Sequence, residues 1–133
     1  MGVTVDSSFI IDLIRGRKAA VAKAKELAAL PGSTLLSTPV LYEVSVGLEF
    51  ARSKADAVAF RSLAGGFRVI GFDEAAAVRA AEIQVDLMRA GRPRAALAVI
   101  IAAIAVAGGH TLISRDEDFG EMADLVGLKV ESY

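Results

Sequence analysis

The chain has 133 residues, with fifteen lysines and arginines against sixteen aspartates and glutamates and a formal net charge of −1. A hydrophobic fraction of 54% excludes intrinsic disorder, and the near-balance of charge excludes the strongly basic profile of a general nucleic-acid binder. Without cysteine there is neither a disulfide framework nor a cysteine zinc site, which is compatible with a cytoplasmic setting. Residues 1–133 are most economically one domain, which at this length buries roughly two-thirds of its unfolded surface.

In chain order, Val3 to Val5 reads as a short strand that ends at Asp6. The start, MGVTVDSS, alternates like a strand and lacks the basic and apolar regions of a signal peptide. Ser7 and Ser8 are good N-cap residues for a helix carrying Phe9, Ile10, Leu13 and Ile14. A second helix covers Lys18 to Leu30 and stops at Pro31-Gly32. Thr34 to Ser37 is an apolar strand, and Thr38-Pro39 opens a helix with Leu41, Glu43, Val44 and Leu48. Ser53 can cap a helix running to about Leu63, before Gly65-Gly66 and a strand from Phe67 to Gly71.

Asp73 to Ala90 has the pattern of a long helix, with Val78, Ile83 and Leu87 inward and Arg79, Glu82 and Asp86 outward, ended by Gly91. The next helix stops at Gly108-Gly109 and contains Ala95 to Ala107, a run without one polar side chain. That run is too short for a bilayer, which takes roughly 18 apolar residues or more, so a buried core helix is expected and no membrane partner. His110 to Ser114 and Leu128 to Val130 complete the strands. Strands separated by helices, with few hairpin signals, predict an α/β fold with a mainly parallel sheet.

In such sheets functional groups gather beyond the carboxyl ends of the strands. Asp6 and Asp116 stand there, Asp118 follows two residues after Asp116, and Glu43 lies one turn into the helix after Thr34 to Ser37. Each has a plainer role available: an aspartate after a strand can simply cap the next helix, and a glutamate on a helix can simply be solvated. Carboxylates converging without cysteine or a second histidine would take a hard cation, Mg²⁺ or Mn²⁺, through oxygen. His110 begins an apolar strand and is expected to be structural. Two basic clusters, Arg15-Arg17-Lys18 and Arg89-Arg92-Arg94, have the pattern of solvated helix ends. Neither a Walker loop nor a base partner for Ser7 or Ser8 is apparent, which argues against nucleotide binding and a hydrolase triad.

The segments VDSSFIIDLIRG (5–16), STPVLYEVSVGL (37–48), VIIAAIAVAGGHTLISRDEDF (99–119) and GLKVESY (127–133) together resemble a PIN-domain ribonuclease, most nearly the VapC toxins of toxin–antitoxin pairs. The resemblance implies a three-layer α/β/α domain, with a mainly parallel sheet of four to five strands, that hydrolyses RNA with Mg²⁺ or Mn²⁺. It also implies a homodimer and a cognate antitoxin that inserts a segment into the active-site groove. Asp6 matches the family's first acid, Glu43 the second, and Asp116 the acid of the T-R-D motif, where Ser114 takes the hydroxyl position. Asp118 matches the acid of the following x-D-F, as a site member or as a cap. Arg15 and Arg115 are candidates to hold the RNA backbone, or are plain surface residues. The helices from Val40 to Leu48 and from Ala57 to Leu63 are expected to carry the protein contacts.

One position departs from the pattern. The family's form P-I-G-x-x-D-x-x-I-A-A meets Pro93 and Ile101-Ala102-Ala103, and its acid falls on Ala98; Arg94 and Ala95 also differ. Two explanations stay open: a catalytic acid replaced by alanine in an otherwise intact nuclease, or a degenerate member that serves as an RNA- or protein-binding module. A nuclease acting on DNA or flap structures is a third, disfavoured because the chain has no insertion to thread a strand.

Overall fold

The computed structural model describes residues 2–133. Along the chain lie β1 (Val3–Val5), α1 (Ser7–Ile14), α2 (Lys18–Ala28), β2 (Thr34–Ser37), α3 (Thr38–Ala51), α4 (Lys54–Ala64) and β3 (Phe67–Ile70). The remaining elements are α5 (Glu74–Arg89), α6 (Ala96–Gly108), β4 (Thr111–Ile113), α7 (Glu117–Val126) and β5 (Lys129–Glu131). The five strands form one sheet in the order β3-β2-β1-β4-β5, parallel at every step. Parallel strands need crossovers, and helices supply them on both faces, giving an α/β/α sandwich.

The inner strands read as short apolar runs because both of their faces are covered. Val5, Leu36, Leu112 and Ile113 are completely buried. The edge strands are treated differently: Arg68 on β3 and Lys129 and Glu131 on β5 are exposed, and charge on an edge discourages pairing with another chain. Strand register sets the composition of the carboxyl edge. Thr4 pairs with Leu35 and Val5 with both Leu36 and Ile113, so the next residues, Asp6, Ser37 and Ser114, emerge side by side at the ends of three adjacent strands.

The polar-free run is α6. Val99, Ile101, Ala102, Ala103, Ile104 and Ala105 are all buried, so core faces nearly the whole circumference of its middle. Its alanines let α5 lie along it, with Ala76, Ala80, Ile83 and Leu87 as the contact stripe. Val78 is not part of that stripe, contrary to the inward position expected from sequence; it is 59% exposed. At about 100° per residue it sits roughly opposite Ala76 and Ala80 on the helix. The other differences are at element ends. Asp6, not Ser7 or Ser8, is the N-cap of α1; α2 ends at Ala28, leaving Leu30 half-exposed; β5 starts at Lys129, with Leu128 buried before it. Helix α7, absent from the sequence-based expectation, buries Phe119, Met122 and Val126 at spacings of three and four.

His110 is structural in its surroundings. It precedes β4 at the amino edge of the sheet, the end away from Asp6, and its imidazole lies so close over Gly108 that a Cβ there would overlap the ring. Burial pushes its pKa down, which favours the neutral ring.

Candidate active site

Asp6 sits where β1 hands over to α1. As N-cap it accepts the Phe9 N–H at 2.9 Å, and the Ser8 hydroxyl donates to both of its oxygens at 2.8 Å. From the neighbouring strand Ser114 donates its hydroxyl to Oδ2. Asp6 is only 2% exposed. Burial raises its pKa, the Ser114, Phe9 and Ser8 hydrogen bonds oppose that rise, and the Asp116 charge adds to it. The carboxylate is therefore held by donors yet driven toward its proton by the low-dielectric setting and by a second acid.

Asp116 is reached through Ser114. Its N–H donates to Ser114 Oγ at 3.0 Å, so one hydroxyl oxygen joins the two acids. Asp116 is itself the N-cap of α7, accepting the Asp118 N–H at 2.9 Å. Glu43 comes from the second turn of α3, half-buried, and accepts the Ser7 hydroxyl at 3.2 Å. Burial raises its pKa, against the Ser7 bond, and the charges of Asp6 and Asp116 raise it further. Three carboxylates from three strand–helix junctions thus feel one another's field.

The other residues singled out from sequence lie around this edge. Asp118 is exposed in the first turn of α7 and ion-pairs with Arg94 at 3.8 Å; it is not the cap of that helix. Arg94 also donates to Glu121 at 2.8 Å, and Arg92 donates to the Glu121 carbonyl oxygen, so the segment before α6 is tied to α7. Ala98 lies in the first turn of α6, where there is no acidic residue and no side-chain cap on Ala95. Arg15 is exposed beside a small apolar groove between α1 and α3. Arg115 is engaged by Asp12, with Nε at 2.5 Å and Nη2 at 3.2 Å.

Sequence reasoning missed Asp12. It is 1% exposed, accepts from Arg115 and from the Tyr133 hydroxyl at 2.6 Å, and ion-pairs with Arg17 at 3.3 Å. Arg115 first, then Tyr133 and Arg17, outweigh burial and hold its pKa below the ordinary value. The available signal was one acid inside the apolar FIIDLI face of α1. Tyr133 is fixed from its other side by an edge-to-face contact with Phe9, with centroids 5.0 Å apart at 81°.

Oxygen-only donors of this charge suit a hard cation in kind. Among the described residues, however, no three histidine, aspartate or glutamate side chains are close enough together to hold one ion as they stand. Among the described residues, no helix is long and apolar enough to cross a membrane.

No curated protein matches the chain in sequence. Among solved structures, the chain resembles one in the complex of VapBC2 from Rickettsia felis bound to a DNA fragment from its promoter. That match has a TM-score of 0.87 at 18% identity and covers 100% of this chain and 99% of the other. FitAcB from Neisseria gonorrhoeae gives a TM-score of 0.80 at 23% identity, over 96% and 95% of the two chains. VapC20 from Mycobacterium tuberculosis, described as a sarcin-ricin loop cleaving toxin, gives 0.66 at 23% identity, over 90% and 94%. At these identities the likeness is one of fold. The family model of the PIN domain matches residues 3–125, which take in β1 to β4 and both helical layers, and the chain belongs to the PIN domain family.

Proposed function

We propose that this chain is an endoribonuclease toxin of the VapC type, acting as one domain over residues 1–133. The observation that carries this is the coupling of Asp6, Glu43 and Asp116 at the carboxyl edge of a parallel sheet, where burial and then neighbouring acids raise the pKa values of Asp6 and Glu43. Mutually repelling carboxylates are a place for a cation. Mg²⁺ or Mn²⁺ held by Asp6, Glu43 and Asp116 would supply acidity to water and charge stabilisation at a phosphodiester. Ser8 and Ser114 keep Asp6 oriented, and Ser7 keeps Glu43 near it. Ala98 leaves the set one carboxylate short and the activity correspondingly impaired. Asp118, committed to Arg94, is an outer member at most.

The partners proposed are an RNA substrate, a cognate antitoxin and a second copy of the chain. The toxin–antitoxin complexes among the structural relatives support the antitoxin. The outward side of α3 offers Tyr42, Val46 and Phe50 at intervals of four, with Phe50 90% exposed. Val40 and Val44 are buried and unavailable for such contacts.

A second reading, a PIN fold that binds RNA or protein without cutting, draws on the acid-free first turn of α6 and on the lack of a three-ligand group among the described residues. One experiment separates the two: Mn²⁺-dependent cleavage of RNA by the native chain, by Ala98→Asp and by Asp6→Asn. The nuclease reading expects weak native cleavage, a rise on restoring the acid and loss on neutralising Asp6. No cleavage from Ala98→Asp, with binding indifferent to Asp6, selects the adaptor.

A further inference from the structure

Arg115 lies between the two residues that build the acidic edge, Ser114 and Asp116, but its side chain turns toward α1. A guanidinium has five N–H donors in a rigid fork. Asp12 takes Nε and one Nη2 donor, the Tyr133 oxygen also engages the guanidinium, and the donors left over can serve another acceptor. The side chain stays 48% exposed and lines a hollow of about 540 Å³ with Ser8, Asp116, Glu117 and Asp118. Among the described residues lining that hollow, Arg115 is the one cation. Asp12 faces two guanidinia, Arg17 and Arg115, so the cluster keeps one positive charge at the rim of an acidic site.

Burying a carboxylate to hold an arginine adds little stability over an apolar residue of similar size, because desolvation offsets the attraction. What it adds is geometry. Asp12 accepts the Tyr133 hydroxyl on Oδ2, the same oxygen that takes Arg115 Nε, and Tyr133 is pinned against Phe9. The guanidinium is thus oriented by a chain of two fixed groups.

We propose that Arg115 grips a substrate phosphate beside the carboxylates, and that Asp12 and Tyr133 are positioning residues that set its guanidinium there; this rests on the ribonuclease reading. The test is binding of a fluorescein-labelled single-stranded oligoribonucleotide to the full chain in EDTA, across a salt series. Arg115→Ala weakens binding on the order of tenfold and reduces the slope of log K against log salt by about 0.7, one phosphate contact on a single strand. Arg115→Lys keeps the slope but not the affinity, since an ammonium cannot fork onto Asp12 and also present further donors. Tyr133→Phe keeps the Phe9 contact, weakens binding several-fold at unchanged slope, and has no effect in an Arg115→Ala background. Unchanged affinity and slope in Arg115→Ala, with native binding intact, overturns the phosphate contact and leaves the ribonuclease reading standing. Equal weakening by Tyr133→Phe in both backgrounds overturns the positioning role. A native chain that binds no RNA in EDTA overturns this proposal, while the ribonuclease reading stands or falls separately on Mn²⁺-dependent cleavage. Tyr133→Phe is the arm that survives if the charged variants misfold.

Discussion

Ser114 donates its hydroxyl to Asp6 and, with the same oxygen, receives the N–H of Asp116. A single buried side chain therefore orients one acid and fixes the backbone that presents another. Replacing it with alanine strands the Asp116 N–H and removes a donor from a buried carboxylate. Ser114→Ala is expected to cost about 1–3 kcal/mol in urea unfolding. Because the Ser114 bond lowers the Asp6 pKa, its loss moves that pKa further up in an NMR titration. An unmoved Asp6 titration would contradict the geometry.

Asp6 and Glu43 both have folded-state pKa values above their ordinary ones. Between the unfolded and folded values the native state holds more protons, so their contribution to stability falls as pH rises through that window and stays low above it. Neutralising the buried acid removes this loss. Asp6→Asn is expected to unfold at higher urea than the native chain at pH 7, with the difference shrinking as pH drops from the raised folded value toward about 4. Equal midpoints at both pH values would count against a strained Asp6.

Asp12 runs the opposite way. Its pKa is lowered, chiefly by Arg115, so the stability it contributes is present above the ordinary carboxylate value and lost as pH falls toward its depressed folded value. Asp12→Ala removes the shared acceptor of Arg115 and Tyr133 while the half-exposed guanidinia of Arg17 and Arg115 return to water, and it is expected to destabilise by about 1–2 kcal/mol at neutral pH, the scale of lost hydrogen bonds. The penalty narrows at acidic pH, which thermal unfolding across a pH series measures.

The space beside Gly108 is taken by the His110 ring. A Cβ there meets the far end of the His110 ring, so Gly108→Ala makes the half-buried imidazole swing aside and is expected to cost about 1 kcal/mol, the low end for overpacking. The cost largely disappears in a His110→Ala background. A double-mutant cycle reads this directly: additive effects would show that the ring is not what the methyl meets.

Restoring an acid at position 98 acts on the first turn of α6, which has no acidic residue and no side-chain cap. Without metal, Ala98→Asp gains about 0.3–1 kcal/mol from the helix dipole, offset by repulsion from neighbouring acids. With Mn²⁺ at a hundred times its dissociation constant, binding adds about 2.7 kcal/mol. The expected result is a Mn²⁺-dependent rise in melting temperature larger for Ala98→Asp than for the native chain. Identical shifts would remove position 98 from the proposed metal site.

Much of the fold was readable because its signals are local. Val3 to Val5 and Thr34 to Ser37 are apolar runs bounded by caps and turns, and α6 announces itself by having nothing polar to expose. Asp6 and Asp116 were placed at strand ends by the same logic. Val78 failed because its apolar character says nothing about which side of α5 meets α6; the small Ala76 and Ala80, which look featureless, are the real contact. Helix α7 was hidden in a short, acid-rich segment whose cap, Asp116, also reads as a site acid. Asp12 was missed for a different reason: two of its three partners, Arg115 and Tyr133, are 103 and 121 residues away, and no local pattern reports a pairing of that span.

The central position of β1 has a consequence for the order of events in folding. Its neighbours on either side are β2, which comes soon after it in the chain, and β4, which brings Ser114 to Asp6 across 108 residues. Such long-range closure is slow, since the loop entropy is lost before the contact forms. A chain still emerging from the ribosome can assemble β1, β2 and β3 with Ser8 and Glu43 in place while Asp6 has neither Ser114 nor Asp116 beside it. The acidic edge is completed only when the last third of the chain docks, so a growing chain has a sheet before it has a site.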